Sequence, residues 1–461
     1  MKHLSPLTAF FLLILLSLPL HAQEETFDDE EAEEEVDDTL ASTTDEALLI
    51  HLSPDERWLY GLRSRLDHVL QSHRTTQVTV RSGRKGKGRK GGRSRTVTRS
   101  YRVGMTVYDL TADSTIFRYN DTQLYIPASN QKLFVSIAAL SALSPYFHFQ
   151  TDIFVDGAAR SAYQPVAFDT VSGLPTDSVE RPFLKGNLYV QGGFDPTLDK
   201  QAVNFVACKF MAMALDSIDG KVYCYEPQKS LLSDASESWF WQRHPSKTFS
   251  QSLYGALMEN GTTFSQSSAW GTLSSPHETD AQLLTTLSTP ISAVLRRMMK
   301  LSDNYYAESM LLNLCDLRDT ERWTYEACKQ KVREMVARAG GRPDEYVISD
   351  GSGLSHANRT TPRTVVDILR YAYAHKTVFD ALWESLPIAG VDGTLGSRMR
   401  GTAAHNNVRA KTGTVRGVST LSGYLTASNG HFLAFSILVN EVGSSQTGRH
   451  LQDLLCVEMA K

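Results

Sequence analysis

Three short polar motifs constrain this chain more than anything else in it. Ser129-Asn130-Gln131-Lys132 opens an apolar run, Leu133 to Leu143, with helical spacing. Ser302-Asp303-Asn304 breaks two helical patterns, Ala293 to Lys300 and Tyr305 to Leu314. Lys411-Thr412-Gly413 lies at the end of Val408 to Thr412, the first of three consecutive strand-like runs. If the three motifs are to act together, a helix start, an interhelix break and a strand edge must converge. Helical and strand-like patterns thus occur together along the chain, and the expected fold class is α+β.

Each residue type suits one chemical task. A serine hydroxyl is a weak nucleophile until a base takes its proton, and a lysine does so only when neutral. A three-residue step on a helix puts Lys132 on the face of Ser129, and burial or a second cation, Lys411, would lower its proton affinity. Ser302 is placed to relay a proton to a leaving amine, and Asn304 to hydrogen-bond a substrate amide. Lys411, Thr412 and Thr414 suit a terminal carboxylate, and Gly413 permits close backbone approach. The N–H groups of Ser129 and Thr414 form a natural oxyanion hole. Taken singly, each motif reads equally well as a helix cap or a solvated charge. Ser82-Gly83-Arg84-Lys85 repeats the first pattern in a Gly- and charge-rich loop where it has no such setting. No HExxH or comparable ligand cluster is present, so neither a metal nor another cofactor is expected.

Charge is distributed unevenly. Residues 23–46 hold thirteen acids and no Lys or Arg, and residues 81–102 hold ten Lys or Arg and no acids. The remainder is close to neutral, and the basic loop from Arg81 to Arg93 holds no aromatic residue for base stacking, so nucleic acid is not an expected partner. Met1-Lys2-His3, an apolar run from Pro6 to Leu20, and Ala22 have the form of an export signal (1–22) cleaved near Ala22. No later run is long enough for a transmembrane helix. An acidic, disordered tether (23–46) is expected next, then an amphipathic helix from Pro54 to His73 and a hairpin with a basic tip (82–100). A main domain of residues 47–147 and 286–461 is expected to carry an inserted mixed module, 148–285. Cys208, Cys224, Cys315, Cys328 and Cys456 form no CxxC pattern. Cys315 and Cys328 are near enough in sequence to pair, although buried inert thiols are the expected state.

The motif set resembles the D-alanyl-D-alanine carboxypeptidase/endopeptidase family, the class C low-molecular-mass penicillin-binding proteins. Pro127 to Leu133, Ser302 to Glu308, Asp350-Gly351-Ser352-Gly353-Leu354-Ser355, Asp392-Gly393-Thr394-Leu395, and Lys411 to Thr414 followed by Gly417-Val418 all resemble family signatures. Phe194 departs from a usual Gly and His356 from a frequent Arg, departures expected to bear on substrate approach and not on the chemistry. The resemblance implies a transpeptidase-like, serine β-lactamase-like domain: an antiparallel sheet covered by helices, plus an all-helical subdomain, with the site between them. It implies an acyl-enzyme on Ser129 formed with peptidoglycan stem peptides, covalent inhibition by β-lactams, and a periplasmic setting. A β-lactamase of the same fold and a non-catalytic peptidoglycan-binding protein are the alternatives.

Overall fold

The computed structural model describes residues 52–73, 75–81, 94–225, 245–265, 270–273, 281–315 and 323–461. The expected export signal, the acidic tether and most of the basic tip lie outside the described residues. Helix α1 (Pro54–Ser72) buries Leu62, Leu66, Val69 and Leu70, the stripe its spacing predicts. A ribbon of β1 (Thr75–Arg81) and β2 (Ser94–Ser100) follows, then β3 (Arg102–Asp109) and β4 (Ser114–Tyr119). A 3-10 turn (Ala128–Asn130) leads into α2 (Gln131–Leu143).

The next segment comprises β5 (His148–Val155), β6 (Ala158–Phe168), β7 (Pro175–Lys185), β8 (Leu188–Gly192), α3 (Lys200–Met211), β9 (Ser217–Asp219), β10 (Val222–Tyr225), α4 (Pro245–Glu259), β11 (Thr263–Phe264), β12 (Trp270–Leu273) and β13 (Gln282–Pro290). These strands form a five-stranded and a four-stranded sheet. They share a core that includes Ile153, Leu188, Val206, Phe210 and Leu253. First strand β5 pairs antiparallel with last strand β13, Val155 against Gln282 and His148 against Pro290. The excursion therefore leaves and returns side by side, and its pairing runs to Pro290.

Helices dominate after that: α5 (Ile291–Lys300), α6 (Asn304–Leu312) and α7 (Tyr325–Arg338), a short bridge of β14 (Tyr346–Val347) with β15 (Arg359–Thr360), then α8 (Pro362–Ala374) and α9 (Lys376–Ser385). Strands β16 (Arg409–Val415), β17 (Val418–Thr426) and β18 (Phe432–Asn440) and helix α10 (Ser445–Ala460) complete the chain. The main sheet runs β16-β17-β18-β3-β4, antiparallel throughout. Its central strands are buried along almost their whole length, so both faces must be covered. One face packs against α1 and α10 through Leu62, Leu66, Leu451 and Leu455. The other packs against helices that include α2, α5 and α8, through Ile137, Met298, Val365 and Leu369. This is the expected α+β arrangement. Among the described residues, no helix is long and apolar enough to cross a membrane.

Two expectations need correction. Not all five thiols are buried: Cys208 is exposed on the outer face of α3 and Cys315 is only partly buried, while Cys224, Cys328 and Cys456 are buried. Phe194, expected to affect substrate approach, is almost fully buried and stacks on Trp323 with ring centroids 5.6 Å apart. Its φ of +53° lies in the left-handed region that favours glycine, and the buried ring offsets that strain.

Candidate active site

The nucleophile turn is fixed to the main sheet. Thr420 Oγ1 on β17 donates to Pro127 O (2.8 Å), and Asn130 Nδ2 donates to Ser422 Oγ (2.6 Å). Strand β16 approaches from the side. A Cβ on Gly413 would lie 2.9 Å from Ser129 N and 2.1 Å from Thr420 Oγ1, so only glycine admits this proximity. The loop 350–355 closes the opposite side, where a Cβ on Gly353 would fall 1.9 Å from Ala128 O. Ala128 itself holds φ +47°. A left-handed non-glycine residue directly before the serine is local strain kept in place by these contacts.

Lys132 lies one helical turn beyond Ser129 and is fully buried. Its Nζ donates to Ser129 Oγ (3.1 Å), Asn304 Oδ1 (2.7 Å) and Ser352 O (2.5 Å). Burial lowers its pKa to about 8, against the opposing charges of Glu308, Asp350 and Asp303. Asn304 opens α6, and Asp303 caps that helix through the N–H groups of Tyr305 (3.1 Å) and Tyr306 (3.4 Å). Ser302, at φ +59°, is turned towards β16. Its Oγ accepts from Lys411 Nζ at 2.9 Å, and the same ammonium donates to Thr412 O at 2.7 Å. Lys411 is fully buried, and burial, with Lys132 nearby, holds its pKa well below the ordinary lysine value.

Strand β16 is the edge of the sheet. At its start it pairs outward with the 387–389 segment, Ala410 N–H donating to Pro387 O (3.1 Å). Further along, its outer edge faces the nucleophile turn. Thr412 Oγ1 donates to Thr394 Oγ1 (2.7 Å) in the 3-10 turn Gly393–Leu395. That turn is tied to the end of α5 by Lys300, whose Nζ donates to Asp392 Oδ2 (2.6 Å) and Leu386 O (2.6 Å). Arg449 of α10 reaches Thr414 Oγ1 from behind (3.5 Å). Beyond the strand end lies a cavity of about 300 Å³, lined by Arg102, His356, Arg359, Arg416 and Glu441.

Of the eight expected site residues, Ser129, Lys132 and Asn304 form one hydrogen-bonded group, Ser302, Lys411 and Thr412 a second, and Gly413 and Thr414 continue β16, with Gly413 close to the Ser129 N–H. Sequence reasoning assigned no role to Glu308, Asp350, Ser352 or Thr394, although the segments holding them were recognised. The only sequence signal was the position of Glu308, four residues after Asn304 on one helix face.

A family model described as the D-Ala-D-Ala carboxypeptidase 3 (S13) family matches residues 98–173 and 232–458. A D-alanyl-D-alanine carboxypeptidase of Actinomadura sp. (strain R39) is 38% identical over 212 residues, covering 45% of this chain and 38% of that protein. The D-alanyl-D-alanine carboxypeptidase DacB of Haemophilus influenzae is 33% identical over 156 residues, covering 33% of this chain and 32% of that protein. The matched stretches therefore span about a third to two fifths of these curated relatives. Penicillin-binding protein 4 of Haemophilus influenzae, solved in complex with a β-lactam, superposes with a TM-score of 0.62 at 20% identity, covering 85% of this chain and 99% of that one.

Proposed function

The chain belongs to the D-Ala-D-Ala carboxypeptidase 3 (S13) family, and from that membership we propose that it is a serine D-Ala-D-Ala carboxypeptidase and DD-endopeptidase of peptidoglycan stem peptides. The observation that carries this reading is the contact of a fully buried lysine with a partly exposed serine, Lys132 Nζ to Ser129 Oγ at 3.1 Å. Ser129 Oγ attacks the carbonyl that precedes a terminal D-Ala, or a D-amino-acid cross-link, and its proton passes to Lys132. The oxyanion is held by the N–H groups of Ser129 and Thr414. When the carbon–nitrogen bond breaks, the proton on Lys132 travels through Ser302 to the departing amine, and water then releases the acyl group.

Lys411 completes the scheme. Burial and the nearby Lys132 disfavour its cation, and an arriving substrate carboxylate makes it favourable. That new positive charge in turn keeps Lys132 neutral, so binding of a carboxylate-ended peptide arms the base. The cavity beyond β16, rich in arginine, suits a carboxylate on the substrate's own side chain. The β-lactam complex of the Haemophilus influenzae penicillin-binding protein 4 supports β-lactam binding here, and the scheme makes Ser129 Oγ the atom that a penicillin would acylate. The substrate, with the N-terminal sequence, supports export to the periplasm.

Incubation with purified muropeptides tests the reading. Monomers are expected to lose D-Ala and cross-linked dimers to split, both blocked by prior penicillin. No change in either pool would overturn it. Thr394→Val gives a finer test. Losing one neutral hydrogen bond costs about 1 kcal/mol, so KM for D-Ala release is expected to rise about fivefold while kcat stays within about twofold. A change in kcat alone would mean that the Thr412–Thr394 contact does not serve substrate binding.

A further inference from the structure

A buried acid, unused by the scheme above, holds the backbone that receives the base. Glu308 sits one turn along α6 from Asn304 and is 4% exposed. Its Oε1 accepts the Ser352 N–H (2.8 Å), and its Oε2 accepts the Gly351 N–H (3.3 Å) and the Tyr325 hydroxyl (2.9 Å). Ser352, held through its N–H, presents its carbonyl to Lys132 Nζ at 2.5 Å. The peptide bearing that carbonyl donates its own N–H, that of Gly353, to Asp350 Oδ1 at 2.6 Å. A carboxylate on α6 and another in the loop thus grip the backbone that receives the lysine.

We propose that Glu308 is a positioning residue for Lys132: it anchors the Ser352 carbonyl against the amine and supplies the charge that supports the ammonium formed when Ser129 is deprotonated. This rests on the acyl-enzyme reading given above. A base must be neutral before attack yet hold the proton once taken. Burial alone favours the first state and opposes the second. An ionised Glu308 restores the balance without contacting substrate. Burial, with Asp350 beside it, raises the pKa of Glu308 to about 7, and its charge is the largest of those raising that of Lys132. The other titratable groups facing the pair are Asp350 in the loop, Asp303 at the start of α6, Tyr325 on α7 and Lys411 on β16.

The sign follows. Removing the negative charge lowers the proton affinity of Lys132, so the amine is neutral at lower pH but is a weaker base. The test measures second-order acylation rates by fluorescent penicillin between about pH 6 and 10 on the full chain, wild type and Glu308→Gln. The acid limb of the profile is expected to move down by about one pH unit, while the alkaline plateau falls several-fold. Tyr325→Phe keeps the carboxylate but removes one donor, so Glu308 stays protonated to higher pH and the limb is expected to move the same way by less. A limb that stays in place in Glu308→Gln, whatever the plateau does, overturns the proposal. If that variant does not fold, an unmoved limb in Tyr325→Phe overturns it. Absence of any penicillin adduct on the wild type would instead overturn the acyl-enzyme reading itself.

Discussion

Ser129→Ala is expected to abolish the penicillin adduct and to reduce D-Ala release by about 10⁶-fold, the loss seen when the nucleophile of a serine peptidase is removed. The size follows from how the site is built. Lys132 Nζ contacts the Ser129 oxygen at 3.1 Å and is itself held by Asn304 Oδ1 and Ser352 O, so one partly exposed hydroxyl has the buried amine as its partner. Ser302 has a lysine partner too, Lys411 at 2.9 Å, but in the proposed scheme that lysine is committed to the substrate carboxylate. Stability is expected to change by less than about 0.5 kcal/mol, since Ser129 is partly exposed and caps no helix end with its side chain. A melting temperature near that of wild type, together with a lost fluorescent band, separates chemistry from folding. Undiminished labelling of the variant would move the nucleophile elsewhere.

The elements that were legible in the sequence are those with an apolar pattern. Helix α1 and strands β17 and β18 show one because their side chains divide between core and solvent or are buried throughout. The hairpin β6–β7 was not foreseen because most of β7, Pro175 to Glu180 among it, is exposed and has no alternation to read. Helix α7 was missed for a related reason: Glu326, Lys331 and Glu334 stand exposed on its outer faces and a charged residue, Lys329, interrupts its buried side, where the apolar stripe of Cys328, Val332, Met335 and Val336 is short. The site divides the same way. Ser129, Lys132, Ser302, Asn304 and Lys411 act through their side chains, so residue type at a given spacing identified them. Ser352 acts through a backbone carbonyl, and Ala128 and Ser302 through positive φ angles. No pattern of residue types encodes those. The lowered proton affinity of Lys132 was required by the chemistry, but its main cause, burial rather than a neighbouring cation, needed the packing of α2 against the sheet and the 350–355 loop.

That cause leads to the second large effect. Lys132→Met is expected to slow acylation by about 10³-fold, within the range for loss of a general base, and to stabilise the fold near pH 7. A pKa of about 8 in place of 10.5 means that the folded chain disfavours the ammonium by about 3 kcal/mol. Below pH 8 this cost is present in full. Between the two values the unfolded chain holds the proton more often than the folded one, so raising the pH favours folding, and the cost fades as pH approaches 10.5. Part of the gain in the variant is cancelled, because Ser352 O and Asn304 Oδ1 lose their donor. The variant's advantage in melting temperature should therefore be greatest at pH 7 and shrink steadily as pH rises towards 10, while its acylation rate stays low at every pH. Lys132→Arg separates charge from size: guanidinium cannot become neutral in this range, so this variant should be as inactive as Lys132→Met and less stable. Melting curves and penicillin acylation rates for the three proteins across that interval decide the matter. An advantage that does not vary with pH would mean that Lys132 carries no depressed pKa and that the proton of Ser129 leaves by another route.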